Sequence, residues 1–338
     1  MGKKQKISIP HIALEVNNSC NQNCIFCYNH IPHQKIENKS NFQLLKKVLK
    51  QAYSHAEINS ITFTGGEPLL EDRIPEMVLY AKMKNSLTTI ISNGTLFSEQ
   101  KINDLLLVKN DLFQLPIHSH SEIIHDKMTC LEGSHEKSVN AIKILKSHGS
   151  NVVAVIVLTS LNSQTISETI NFIVNLGIKQ ISVDRYNIGG KNKNSANQIL
   201  PELNNLKNSY LLINNIARDL KLNVTSNVCT PHCVINPAHF PFIRFGNCPE
   251  NPLHFPLTLD ISGNVRVCNH SPIIAGNIFK NNFDEILNST YVKSWNINIP
   301  EYCKNCKLWP ICRGGCRAAS EQIGMNNKSV DPIVSFFK

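Results

Sequence analysis

Between Ile7 and about Thr225, short apolar runs alternate with longer stretches in which apolar residues recur every three or four positions. The short runs predict strands over residues 12–16, 60–64, 88–92, 112–118, 152–158 and 180–185. The longer stretches predict helices over 42–56, 73–84, 98–109, 134–148 and 165–176, with one more over 201–220. Strands alternating with helices imply an α/β fold with parallel strands joined by crossovers. Periodicity alone does not separate a barrel of such units from a doubly wound sheet. Residues 187–195 turn to Gly, Asn and Lys and read as a loop, after which the helix at about 201–220 looks like a bridge. Composition changes after Ser226, so the expected division is a first unit over 1–226 and a second over 227–338.

Composition refines this picture in four respects. With 42% hydrophobic and 17% charged residues, the chain can build a substantial core. No apolar run approaches membrane-spanning length, and the basic start runs into a stretch too short for a signal-peptide core, so a cytoplasmic protein with no membrane span is expected. The net charge of +9 is scattered rather than concentrated, which favours a solvated surface over nucleic-acid binding. Twelve cysteines in a reducing compartment argue for metal ligation rather than disulfides.

The chemistry begins at Cys20, Cys24 and Cys27, spaced C-x3-C-x2-C. Three soft thiolates on one short loop can hold three irons of a 4Fe-4S cube and leave the fourth iron open to a ligand. A zinc site is the alternative, with His30 or His33 as fourth ligand. The second motif is Thr64-Gly65-Gly66-Glu67-Pro68, directly after an apolar β-like run. Two glycines and a proline make a tight turn that a ligand can approach, and Glu67 offers an acceptor for a cationic amine.

Together these motifs resemble the radical SAM superfamily. The resemblance implies a partial (β/α)6 TIM-like barrel with its site at the C-terminal strand ends. It implies that Cys20, Cys24 and Cys27 bind a 4Fe-4S cluster whose unique iron is chelated by S-adenosyl-L-methionine (SAM). It also implies that the turn of Gly65, Gly66, Glu67 and Pro68 accepts hydrogen bonds from the SAM amino group, and that Phe26 packs near the adenine. Ser92 and Asn93, in Ser92-Asn93-Gly94-Thr95, match further SAM contacts, and Arg185 at the sixth strand end could pair with the SAM carboxylate. His118 and His120 depart from the family pattern. They could move protons, but are expected rather to hydrogen-bond SAM or the backbone.

Eight of the twelve cysteines lie from Cys229 to Cys316. The order of Cys248, Gly263, Cys268, Cys303, Cys306, Cys312 and Cys316 resembles the SPASM extension of radical SAM enzymes, which holds two auxiliary 4Fe-4S clusters. Carried over by position, Cys248, Cys268 and Cys316 serve the first and Cys303, Cys306 and Cys312 the second. A pair of zinc sites is the alternative. Relatives end with a cysteine after an Asp-Pro pair, whereas here Asp331-Pro332 is followed by none. Cys229 and Cys233 are the candidates to fill the gaps. With Pro231, Pro237 and Pro241 restricting that loop, one of the two is expected to complete the first cluster, leaving the second open or ligated by Asp331. Cys130 fits neither pattern and is expected to be an incidental thiol.

The resemblance implies reductive cleavage of SAM to a 5′-deoxyadenosyl radical and hydrogen abstraction, with electrons from a flavodoxin or ferredoxin. SPASM relatives mostly modify peptides, so a ribosomal peptide maturase forming thioether or carbon–carbon cross-links is expected. A small cofactor precursor or a sulfatase-type substrate is the alternative. The latter is disfavoured because Asn269 follows Cys268 where sulfatase-maturing relatives carry Asp. An iron–sulfur electron carrier is the alternative of another class, which the Gly-Gly-Glu-Pro turn argues against. Only nineteen residues precede Cys20, so a leader peptide is expected to bind the barrel directly or through a separate protein.

Overall fold

The computed structural model describes residues 6–29, 41–326 and 328–337. Its backbone is organised by one sheet of eleven strands among the described residues. These are β1 (Ile12–Glu15), β2 (Ser60–Thr64), β3 (Leu87–Ile91), β4 (Leu112–Pro116), β5 (Val152–Leu158), β6 (Gln180–Arg185), β7 (Asn223–Ser226), β8 (Ile243–Phe245), β9 (Leu257–Leu259), β10 (Asn264–Arg266) and β11 (Ile274–Asn277). The order across the sheet is β8-β7-β6-β5-β4-β3-β2-β1-β9-β10-β11. All neighbours from β8 to β9 are parallel, and β9, β10 and β11 form an antiparallel meander. The six expected strands are therefore its centre. The expected fourth strand stops two residues early because the His118 amide turns away to donate to His125 Nδ1 at 3.2 Å.

Crossovers are made by α1 (Phe42–His55), α2 (Ile74–Lys82), α3 (Glu99–Leu107), the pair α4 (Glu122–Thr129) and α5 (Ser134–Ser147), α6 (Ile166–Asn175) and α7 (Leu203–Asp219). Helix α4 was not expected. It stops at Cys130, whose left-handed backbone (φ 53°) turns the chain, and the Asp126 carboxylate then accepts from Gly133 N, Ser134 Oγ and His135 N at 2.6–2.8 Å, capping α5.

Alternation along the strands sets the inside and outside of the sheet. In β5, Val152, Ala154, Ile156 and Leu158 are buried against the helices, while Val153, Val155 and Val157 are half-buried on the opposite face. Strand register aligns Ile91, Gln114, Val153 and Gln180 across that inner face, with Pro116, Val155, Ser182 and Thr225 one layer higher.

The division expected after Ser226 falls inside this sheet. Strand β8 pairs with β7, and β9 pairs with β1 in the register Leu257↔Ile12 and Leu259↔Leu14. The buried Glu15–Arg266 ion pair then links β1 to β10 across β9. The C-terminal region thus extends the barrel sheet.

Candidate metal centre

The cysteine loop leaves β1 and is closed immediately by the turn after β2. Gly66 N donates to Asn17 O at 2.9 Å, Glu67 N to Ser19 O at 2.7 Å, and Asn17 Nδ2 to Glu67 O at 2.9 Å. A Cβ on Gly66 would stand 1.9 Å from Ser19 O, so only glycine permits this approach. The glycine next to Glu67 therefore admits the chain's own cysteine loop. The far end of the loop is fixed by Asn23 N to Thr129 O at 3.2 Å and Ile25 N to Met128 O at 2.9 Å. From the other side comes the loop after β6. Asn192 Nδ2 donates to Ile25 O at 2.9 Å, Lys191 bonds Asn23, and a Cβ on Gly190 would lie 2.1 Å from Cys27 O.

Held this way, the three thiols are largely removed from water. Burial pushes Cys20 up to about 11 and raises Cys24 and Cys27, and the thiols reinforce one another at Cys24. Cys20 Sγ accepts from Gln22 N at 3.4 Å and faces Asn93 Nδ2 at 3.9 Å. Clustered, buried thiols that resist ionisation on their own, with N–H groups directed at sulfur, suit an iron–sulfur cluster, which supplies the positive charge that makes them thiolates. Among the described residues no group of three or more His, Cys, Asp or Glu is arranged around a single metal ion. His30 and His33, the zinc alternative, lie outside the described residues.

The wall beside Cys20 is built from the strand ends. Glu67 is fully buried, and its carboxylate accepts from Ser92 Oγ at 2.8 Å, Asn93 N at 2.7 Å and Leu69 N at 3.0 Å, the last opening the short turn that begins at Pro68. Three protein donors hold the carboxylate that was expected to pair with the SAM amine, and burial raises it to about 7. What Glu67 positions is Asn93, whose Nδ2 reaches Asn21 Oδ1 at 2.7 Å beside Cys20. Phe26 meets His118 edge-on at 4.5 Å, and His118 stacks on His125 at 5.3 Å. Burial holds His118 well below its ordinary value and His125 at about 3, so both rings are neutral at physiological pH. His118 Nδ1 accepts from Val157 N at 3.3 Å, and the His120 amide donates to Thr169 Oγ1 at 3.2 Å. The His118 ring thus bonds the backbone, as expected, and is unsuited to proton transfer near neutrality, while the His120 ring faces the Thr169 hydroxyl at 3.5 Å.

Arg185 requires a correction. Its buried guanidinium pairs with Asp331 and donates to Thr230 Oγ1 at 3.0 Å, Cys229 O at 3.0 Å and Tyr186 O at 3.1 Å. It therefore ties the barrel to the C-terminal region rather than presenting a fork to a carboxylate.

In the C-terminal region the thiols fall into two neighbourhoods. Cys229 lies within electrostatic reach of Cys248, Cys316 and Cys268, and burial raises all four. Cys303 lies within reach of Cys312, Cys306 and Cys233. All twelve cysteines are free of disulfides.

Several residues that position these sites escaped the sequence reading. Asn187 Nδ2 donates to Cys316 Sγ at 3.1 Å. Gln322 Nε2 donates to Tyr28 O at 2.9 Å and His270 O at 2.8 Å while its Oε1 accepts from Gly190 N at 2.5 Å. Tyr28 stacks on His270 at 4.1 Å, and Asn269 donates to the Tyr28 hydroxyl at 2.5 Å. The glycine pair at 189–190 was the available signal, and it read as linker composition.

Residues 14–173 match the Radical SAM superfamily, and residues 248–307 match SPASM, an iron–sulfur cluster-binding domain. The protein is a radical SAM enzyme with a C-terminal SPASM domain. The chain is 23% identical over 335 residues to the PqqA peptide cyclase of Gluconobacter oxydans, covering 96% of this chain and 90% of that protein. It is 27% identical over 185 residues to the sporulation killing factor maturation protein SkfB of Bacillus subtilis, covering 53% of this chain and 44% of that one. In fold it is similar to Streptococcus suis SuiB bound to its precursor peptide SuiA, with a TM-score of 0.74 at 17% identity, covering 96% of this chain and 75% of that one.

Proposed function

We propose that this enzyme modifies a peptide, joining two of its residues by a thioether or carbon–carbon bond. When bound, the cluster and SAM supply a 5′-deoxyadenosyl radical that takes a hydrogen atom from an unactivated carbon. One observation carries the reading. The loop after β6 touches both kinds of thiol set: Gly190 and Asn192 rest on the Cys20–Cys27 loop, and Asn187 bonds Cys316 Sγ. A substrate held on the inner face thus lies between a three-thiol site, where hydrogen abstraction begins, and four-thiol neighbourhoods suited to accept the electron that bond formation releases. The names of the relatives, a peptide cyclase and a maturation protein, favour a peptide. Asn269, with its amide engaged by Tyr28, offers no carboxylate base and so disfavours the sulfatase-type reaction.

Phe26, Ser92, Asn93 and the backbone of the Gly65-Gly66 turn line the SAM side of this site, and Glu67 braces them. Electrons would come from a flavodoxin or ferredoxin, and a leader peptide would reach the barrel directly or through a separate binding protein. No helix among the described residues is long and apolar enough to cross a membrane, and a cytoplasmic location fits a reducing supply for twelve thiols. The test is anaerobic incubation with SAM, dithionite and a short peptide encoded beside the gene, followed by mass spectrometry. The expected product has lost two hydrogens, one taken by the deoxyadenosyl radical and one leaving as a proton and an electron. Deoxyadenosine formation with every such peptide left unchanged in mass would refute the peptide assignment.

A further inference from the structure

We propose that Cys233 is the fourth ligand of the second auxiliary cluster, so that residues 229–233 serve both auxiliary clusters and the second is fully ligated. This rests on the iron–sulfur assignment of the C-terminal cysteines and is independent of what the substrate is.

The geometry starts from a tight turn. Val234 N and Ile235 N both donate to Pro231 O, at 2.8 and 3.0 Å, which places Cys233 on a turn projecting from the Pro231 anchor. That anchor is wedged into the segment between Cys312 and Cys316. A Cβ on Gly315 would stand 2.5 Å from Pro231 Cγ and 2.9 Å from Asp331 Cβ, so the chain closes here only because Gly315 (φ +79°) has none. Next to Cys233, His232 N donates to Cys312 Sγ at 3.2 Å. The hydroxyl of Tyr302, which precedes Cys303, hydrogen-bonds Cys233 itself. Cys233 is therefore held beside Cys303, Cys306 and Cys312, while Cys229 points to the other neighbourhood with Cys248, Cys268 and Cys316. Pro231, one of the three prolines expected to keep the loop from folding back, instead sets the turn that brings Cys233 in.

The competing ligand is already committed. Asp331 is fully buried, with Oδ2 taking Arg185 and Cys316 N at 2.9 Å and Oδ1 taking Ile333 N at 3.1 Å. Its carboxylate stabilises the Arg185 cation and has no reason to leave it for iron. The role that a cysteine after the Asp-Pro pair plays in relatives is thus divided: Asp331 pins the barrel arginine, and Cys233 closes the cluster. A closed cluster transfers electrons and does not bind a substrate thiolate.

Differential alkylation of the wild-type holoenzyme tests this without altering the fold. Cys130, exposed and outside both C-terminal thiol groups, serves as the internal reporter. Iodoacetamide should label Cys130 while Cys233, though also exposed, stays protected until the iron is chelated. A cysteine-containing peptide should leave the wild-type cluster spectra unchanged. In Cys233→Ala it should either perturb them, through a newly open iron, or find about four of about twelve irons missing. Labelling of Cys233 at the rate of Cys130 with iron retained, or a wild-type spectrum that already responds to added thiol, would overturn the assignment. Wild-type protein holding only four irons would instead defeat the auxiliary-cluster assignment itself.

Discussion

The barrel gathers its thiols differently from the C-terminal region. Cys20, Cys24 and Cys27 sit within eight residues of one loop, and the rest of the fold only shapes and buries that loop. Each C-terminal neighbourhood draws on distant segments: residue 229 with 248, 268 and 316, and residue 233 with 303, 306 and 312. The difference follows from the tasks. Three ligands on one loop would leave an iron open for SAM, and the loop is held by backbone bonds with a few side chains from neighbouring loops. Four ligands that close a cluster to outside ligands can come from anywhere the tertiary structure brings together, and they tie those segments to one another as they do so.

The largest effect expected from breaking this contrast is on the barrel side. Replacing Cys20, Cys24 and Cys27 together by Ala should abolish deoxyadenosine formation and remove about four of about twelve irons, leaving the auxiliary spectra intact. Loss of all the iron would mean that the two regions do not load independently.

Next in size is the tie between them. Arg185 and Asp331 form a fully buried pair, and removing one partner strands a charge. Arg185→Met or Asp331→Ala should cost ~3–5 kcal/mol in denaturant unfolding, with the double variant less destabilised than either single one. Equal additivity would show that the two side chains act separately.

A smaller effect is expected at the seam beside the three-thiol loop. Gly66→Ala places a methyl against Ser19 O and should cost ~1–3 kcal/mol while weakening SAM binding, measured by equilibrium dialysis, with auxiliary iron unchanged. Unaltered SAM affinity would mean the loop tolerates displacement.

The smallest is a pH signature. Because burial raises Glu67 from its ordinary value to about 7, the folded chain keeps a proton that the unfolded chain releases above pH ~4.5. This group therefore lowers stability progressively as pH rises from ~4.5 to about 7, and no further above it. Glu67→Gln should flatten that part of the urea stability profile, and an unchanged slope would show that burial does not raise this carboxyl.

Much of this was written locally. The strand pattern from Ile12 to Arg185, the three-thiol spacing and the Gly-Gly-Glu-Pro turn are short-range features, legible because side-chain alternation and ligand spacing are set by neighbours in the chain. Contacts across the fold were not legible. Glu67 and Arg185 occupied the expected places, but tertiary neighbours claimed both: backbone and hydroxyl donors for the first, a carboxylate almost 150 residues away for the second. A buried charge must find compensation, and the sequence does not say which partner burial will supply. The distribution of Cys229 and Cys233 between two thiol groups, and the extension of the barrel sheet by β9 to β11, were likewise decided only when Pro231 met Gly315 and Leu257 aligned with Ile12. Residue types and their local spacing established which chemistry the chain can perform; packing and burial over long sequence separations decided which residues are left available to perform it.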